Sequence, residues 1–598
     1  MKPKTNSLPS GNDRYRWVAL SNTTLGLLIS TINSSILLIS IPDIFRGIHL
    51  DPLAPGNTAY FLWTLMGFML VTSVLVVSFG RIGDMYGRVR MYTMGFAIFT
   101  VFSILLAATW LTGPAGAIWI IVMRLGQGVG GAFLFANSSA ILTDAFPAEQ
   151  RGFALGINSV AAIGGSFLGL IIGGFLSPIE WRLVFLVSVP IGVFGTAWAY
   201  LRLRDNGRRV RAKVDWIGNV SFALSLVLIL TGIVYGLQPY GHQAMGWSNP
   251  KVILAIAGGI AILIAFIIYE LRIDEPMFHM DLFKNRAFAM GNASALLLGL
   301  ARGGLQFMLI VWLQGIWLPL HGYSFSQTPL WAGIYLVPLT IGFIASGPLA
   351  GRLADRYGAR PFATMGLVLT GLSLIGLQMI PINFNYWLFA FILFISGVGV
   401  GLFPAANTSS VMNTLPVDQR GAGGGMLNTL QNSAMVLSIG LFFTFITIGL
   451  ASSLPSTLYR GLTAEGVPRM IALHISHLSP LGSLFAAFLG INPMTQLLGP
   501  HVLALPGVNA SVLTSNTFFP QLISQPFAAG LRFAFILAAL ICFIAAICSW
   551  LRGPTPRRGA LRSMANDLEA GLGGAAEADM AGLGSAIPAD LLEPPSDS

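Results

Sequence analysis

Two arginines lie where a charge is costly, inside long apolar runs. Arg124 sits in AIWIIVMRLGQGVGGAF, with Gln127 three residues on and close enough to share its helical face. Arg302 sits in NASALLLGLARGGLQFMLIVWLQG, with Gln306 one turn later. An arginine at such depth faces the protein interior or a water-filled path. There it can bind an anionic group or compete for a protonatable partner; the plainer reading is a fixed tie to carbonyls or between helices. A second kind of chemistry belongs to two short charged stretches, GRIGDMYGRVR (80–90) and GRLADRYGAR (351–360). Gly80, Gly83 and Gly87 permit tight turns and close helix approach, and Asp84 can pair with Arg88 or Arg90 or cap a helix. Gly351, Asp355, Gly358 and Arg360 offer the same set. Ion pairs that form in one arrangement and part in another bias a conformational equilibrium.

What must position these groups is a membrane-spanning framework. Of 598 residues, 55% are hydrophobic and only 9% charged, against about 25% charged in a soluble protein. A bilayer core needs about 20 apolar residues per helix. Fourteen runs qualify: 17–41, 58–79, 91–110, 115–140, 152–176, 182–200, 217–237, 251–270, 288–316, 330–350, 362–381, 386–411, 423–450 and 529–551. The first run is too long for a cleaved signal peptide and has no small-residue cleavage site after it. Residues 451–528 read as an extramembrane loop, partly helical, and the acidic Ala/Gly-rich tail from 552 as disordered. With fourteen spans, 25 of the 33 Lys and Arg fall on the side of the termini. That asymmetry places both termini in the cytoplasm of a multi-pass cell-membrane protein.

The charged stretches then join spans 2 to 3 and 10 to 11, eight helices apart. Two equivalent six-helix bundles with two helices inserted between them give that spacing, a common transporter plan. The expected division is a cytoplasmic N-terminus (1–16), a first bundle (17–200), a basic linker (201–216) and two inserted helices (217–270). A linker (271–287), a second bundle (288–551) containing the 451–528 loop, and the tail (552–598) follow.

These stretches resemble the signature loop of the major facilitator superfamily. MRLGQGVGGAF (123–133) resembles the arginine stretch of its fourth helix, and GGSFLGLIIGG (164–174) the glycine-rich fifth helix of drug exporters. WRLVFLVSVPIG, VDWIG, MGWS, EPMFHMDLFKNRAFA, WAGIYLVP and GAGGGMLNTLQN are similar to marks of the fourteen-helix drug:proton antiporter branch, in order from about 17 to 551. The resemblance implies an all-α major facilitator fold and proton-coupled efflux of hydrophobic or cationic drug-like compounds by alternating access. It also implies a role for Arg124 in relaying the proton. The export direction rests on it entirely.

The chain departs from that pattern in three places. Leu170 stands where the fifth-helix motif has proline, Gln431 where related proteins often carry arginine, and Asn33 where the first helix has its aspartate. None of the 23 Asp and Glu falls in the middle of a span, although proton coupling wants a buried carboxylate with a raised pKa. The remaining candidates are Asp43, Glu180 beside Arg182, and Asp84 with Arg124, leaving Asn33 as a polar substrate or packing contact. Gly165, Gly169 and Gly173, with Gly174, form a bare ridge for close helix packing. Trp63, Asn137, Tyr335, Asn407, Asn428 and Asn432, joined by Gln306, suit a soft substrate path.

No phosphate-binding GxxxxGK[ST] run exists to power an ATP-driven pump. His474 and His477 have no clear third metal ligand, and no catalytic cluster can be assembled from spacing. The partners expected are a small-molecule substrate, protons and the lipid bilayer, without cofactor, metal or nucleic acid, for a protein acting as a monomer. A receptor without flux, or a membrane enzyme, would leave the duplicated hinge without purpose. A carrier of organic anions or peptides, or non-standard coupling, is the alternative kept open by Arg124, Arg302 and Asn33.

Overall fold

The computed structural model describes residues 11–51, 54, 56–147, 150–205, 214–241, 243, 245–276, 278–415, 420–490 and 492–553. The first ten residues, half of the basic linker and the tail from 554 lie outside them. Among the described residues, fourteen helices are long and apolar enough to cross a membrane, as the hydropathy pattern predicts. They are α1 (Gly11–Gly47), α2 (Asn57–Tyr86), α3 (Arg88–Ala107), α4 (Gly113–Ala145), α5 (Arg151–Leu176) and α6 (Leu183–Arg202). α7 (Trp216–Gly236) and α8 (Pro250–Glu270) follow, then α9 (Arg286–Leu320), α10 (Thr328–Tyr335 continued by Val337–Tyr357) and α11 (Ala359–Met379). α12 (Tyr386–Asn413), α13 (Arg420–Ala464) and α14 (Phe518–Leu551) complete the set.

The packing repeats with a period of eight helices. In the first half α1 packs on α5 and α6, α2 on α4, and α3 on α4 and α6. In the second, α9 packs on α13 and α14, α10 on α12, and α11 on α12 and α14. The halves meet through α2 against α13 and α5 against α10, two contacts related by the same offset. α7 and α8 pair with each other, and α7 touches α2 and α13 from outside.

Small residues set the closest approaches. A Cβ at Gly169 would lie 2.5 Å from the Ile32 carbonyl oxygen, and one at Gly173 would lie 2.7 Å from Ile39. With Gly165 against Thr31 and Leu28, this ridge seats α5 on α1 without side chains between the backbones. Gly174 points elsewhere, to Pro329 and Leu330 of α10, so the same helix also closes on the other half. Leu170, in the place of the expected proline, leaves α5 an unbroken helix.

The segment 451–528, expected as an extramembrane loop and partly helical, contains several helices. α13 runs on to Ala464, and Arg469–Ser476 and Pro480–Phe488 form a pair bent by 90°. All nine residues of Pro480–Phe488 are buried. Its sequence, PLGSLFAAF, carries its own start signals: Ser479 accepts from Gly482 N–H at 3.3 Å, and Pro480 occupies the first turn. Phe485 stacks on Phe61 (4.3 Å), which stacks on Phe45 (4.1 Å), while Phe488 meets Phe307 edge-on. This short helix plugs the end of the bundle opposite the termini. Nine residues are too few to register as a span, so apolar run length alone passes over it.

Candidate functional site

Arg124 is the centre of a buried polar node in the first half. It is 1% exposed, in a fully helical stretch of α4 whose neighbours Gly128, Gly130 and Gly131 let α2 and α3 come close. Its Nη1 donates to Asn33 Oδ1 of α1 and to Gln127 Oε1 at 2.8 Å. Gln127 Nε2 donates onward to Ser103 Oγ of α3 at 2.8 Å, and Asn33 Nδ2 donates to Ser188 Oγ of α6 at 3.4 Å. The guanidinium lies 4.7 Å from the centroid of the Phe68 ring of α2. Five of the first six helices therefore meet at one cation. Every recorded partner of that cation is neutral, so the charge is held by dipoles and a ring face rather than by a carboxylate.

The three carboxylates proposed to take the proton lie away from Arg124. Asp84 accepts from Arg88 at 2.7 Å, not from Arg124. Asp43 accepts from Arg46 at 2.7 Å and from Ser177 Oγ at 2.5 Å, at the far end of α1. Glu180 pairs with Arg182 at 3.0 Å, and Arg182 also donates to the Thr109 carbonyl. Among the described residues, every carboxylate sits near a helix end, and none forms a metal-binding group.

The two charged loops share a backbone. α2 ends with Gly87 N–H on the Gly83 carbonyl at 2.9 Å, and α10 ends with Gly358 N–H on the Ala354 carbonyl at 2.9 Å. Gly87 (φ 107°, ψ 122°) and Gly358 (φ 93°, ψ 151°) adopt a conformation closed to other residues, which turns each chain directly into the next span. Their side chains diverge. In the first loop Arg88 bridges Asp84 and Asp144 of α4, both at 2.7 Å, and Gly83 lies against Asn137 Oδ1. Arg90 is exposed, and Gly80 has only Ala136 nearby at 3.9 Å. In the second loop Arg360 lies 3.9 Å over Trp550 of α14, and the space around Gly351 is open. The Asp355 side chain lies outside the described residues.

The residues expected along a substrate path are dispersed. Asn137 donates to the Phe133 carbonyl at 3.0 Å beneath the first loop. Asn407 donates to the Gly291 carbonyl at 3.2 Å and accepts from Arg552 at 2.7 Å. Burial of Arg552 against this contact pulls its guanidinium down to about 10. Both asparagines thus tie helices near the loops. Tyr335 belongs to an aromatic cluster with Trp317, Tyr323 and Tyr386, its hydroxyl 2.8 Å from that of Tyr323. Trp63 packs half-buried against the core, Asn432 is half-buried and Asn428 is exposed.

Arg302 has no hydrogen bond or ion pair among the described residues, and Gln306 Nε2 is buried without a partner. The turn carrying Arg302 is braced from α13. Ser438 Oγ donates to the Leu300 carbonyl at 2.5 Å and accepts from Gly304 N–H at 2.8 Å. A hydroxyl thereby bridges two groups that pair with each other in a regular α-turn. Further on, α9 contains a π-turn at Leu313–Trp317, where Gln314 Nε2 donates to the Ile39 carbonyl of α1 at 3.3 Å. Sequence reasoning missed Ser103, Ser188, Asp144 and Ser438. Single hydroxyls are common in membrane helices, so only their partners distinguish them.

Comparison with known proteins agrees with this geometry. The Major Facilitator Superfamily profile matches residues 23–439. The chain is 28% identical to the riboflavin transporter RibZ of Clostridioides difficile, over 72% of this chain and 88% of that one. It is 25% identical to the tetracenomycin C resistance and export protein of Streptomyces glaucescens, over 89% and 90%. Among solved structures, a bacterial homolog of the human lysosomal transporter Spinster, inward-facing and unoccupied, superposes with a TM-score of 0.54 at 16% identity. That match covers 91% of this chain and 99% of that chain. The chain belongs to the Major Facilitator Superfamily, as a fourteen-span secondary transporter and not an enzyme.

Proposed function

We propose that the protein is a drug:proton antiporter that exports largely apolar small molecules by rocking its two halves, with both termini in the cytoplasm. The carrying observation is the buried node at Arg124, which joins five helices of one half through neutral partners. A cation so placed responds to any proton or substrate charge arriving near it, and the helices it ties move as a unit. The two turn-bound loops and the bundle contacts α2–α13 and α5–α10 supply the rocking interface. The fourteen-span division into two six-helix bundles and an inserted pair, and action as a monomer, belong to the same reading.

Support for export comes from the relative that carries resistance and export in its name. Cationic substrates find no carboxylate within the described membrane interior, so the reading favours neutral or anionic compounds over cations. The proton then enters at a helix end. Asp43 is the candidate on α1, ten residues from Asn33 and so about 15 Å along the helix.

The test is flux of a lipophilic fluorescent probe in proteoliposomes with an imposed pH gradient and no nucleotide. Accumulation that collapses with an uncoupler, and that is lost in Asp43→Asn, supports the reading. Flux indifferent to the gradient refutes proton coupling.

A further inference from the structure

The two intramembrane arginines are in opposite states. Nη1 of Arg124 is committed to two acceptors and its face to a ring. Arg302 is committed to nothing recorded. It lies mid-way along α9, a helix with no exposed side chain from Ala287 to Leu320, yet Arg302, Gly303 and Gln306 keep partial accessibility. α9 packs against α12, α13 and α14, and the partly accessible turn at Arg302 lies beside them. The Arg302 guanidinium is thus partly accessible with its hydrogen-bonding capacity unspent, and one turn on, the buried Gln306 Nε2 has no partner either.

Leaving a charge unpaired at that depth is costly. The surroundings do not relieve it by letting the side chain move away with its turn. Ser438 holds that turn from α13, and the glycine pair 303–304 lets α13 reach it, since Cβ atoms there would meet Met435 and Phe442. The backbone turn is fixed while the side-chain donors on it stay unpaired.

We infer that Arg302 and Gln306 form the recognition site for an anionic group, a carboxylate or phosphate, on an otherwise apolar transported compound. This rests on the transport reading above and adds to it the substrate class. Guanidinium geometry suits such oxyanions, which it grips with two parallel N–H donors, and Gln306 Nε2 supplies a third donor. The body of the compound would lie among apolar side chains. Arg124 is excluded as the anion site because it is 1% exposed and its Nη1 already holds two acceptors.

The experiment uses full-length protein in nanodiscs and three matched probes: a dansyl-labelled medium-chain fatty acid, its primary amide and its primary amine. Fluorescence titration reads the affinity of each. Wild type is expected to bind the acid about tenfold more tightly than the amide, the amount a charge-assisted hydrogen bond supplies. Arg302→Gln is expected to erase that ratio while leaving amide affinity within about twofold, and Arg302→Lys to restore part of it. The lysine variant also reports whether the fold tolerates change at this position. Equal binding of acid and amide by wild type, no binding of the acid, or a preference that survives Arg302→Gln overturns the inference. A phosphatidic acid titration separates sources: competition only by lipid, with the free fatty acid inert, assigns the site to a lipid headgroup and overturns the substrate role. Loss of gradient-driven flux would instead count against the transport reading, leaving the acid-to-amide ratio to decide this one.

Discussion

The two halves of the molecule share one packing plan and use it for different chemistry. Helix pairs α1–α5, α2–α4, α3–α4, α3–α6 and α1–α6 recur as α9–α13, α10–α12, α11–α12, α11–α14 and α9–α14. Both charged loops turn at a glycine of positive φ. Yet the first half seals Arg124 in a buried node and locks its loop by ions, whereas the second leaves Arg302 unpaired and fastens its loop by stacking Arg360 on Trp550. Backbone geometry is what the repeat preserves, because turns and helix contacts fail when it changes. Side-chain chemistry is free to diverge, and under the proposed reading that divergence separates coupling from recognition.

The largest expected effect comes from breaking the buried node. Arg124→Ala orphans buried acceptors on Asn33 and Gln127, at about 1–3 kcal/mol each. Gradient-driven flux should fall by about a hundredfold, with a lower melting temperature measurable by scanning fluorimetry of the purified protein. A variant that transports normally would show that the node is packing alone. Next in size is the ionic loop. Arg88→Gln removes two half-exposed pairs worth a few tenths to about 1 kcal/mol each, and should change flux roughly five- to tenfold, less so at high salt. Smallest is the stacked loop. Arg360→Ala loses one cation–π contact of about 0.5–1 kcal/mol, for a change of roughly two- to threefold that salt leaves alone. Equal effects at Arg88 and Arg360, measured in the same vesicles, would erase the distinction drawn between the loops.

Much of this was legible in the sequence, for physical reasons. Span number and the eight-helix offset follow from apolar run length and from two charged stretches, signals that no packing detail can override. The α5 ridge was legible because glycines at every fourth position leave one face bare. The partners of the polar residues were not. Asn33 carries no mark that it meets Arg124, since α1 and α4 are brought together only by the bundle. Asp84 was read with Arg124 as one option, but lies one helical turn from Arg88, where local geometry wins. Asn137 and Asn407 look like path residues in apolar helices, and spacing does not show that one lies against Gly83 and the other on Arg552. The plug at Pro480–Phe488 escaped because its length falls below that of any span. Side-chain pairing across helices is a property of the folded arrangement, so spacing reveals the donors and hides their acceptors.

The division of labour between the halves can be tested in a single set of flux measurements. Proteoliposomes holding wild type, Asn33→Asp or Arg302→Gln would be assayed with matched acid and amide probes across a series of imposed pH gradients. Asn33→Asp places a titratable carboxylate against Arg124. It should change the dependence of flux on pH and leave the acid-to-amide ratio as in wild type. Arg302→Gln should bring that ratio close to one and leave the pH dependence unchanged. If each substitution moves both quantities together, the halves do not separate coupling from recognition, and the account is wrong at its centre.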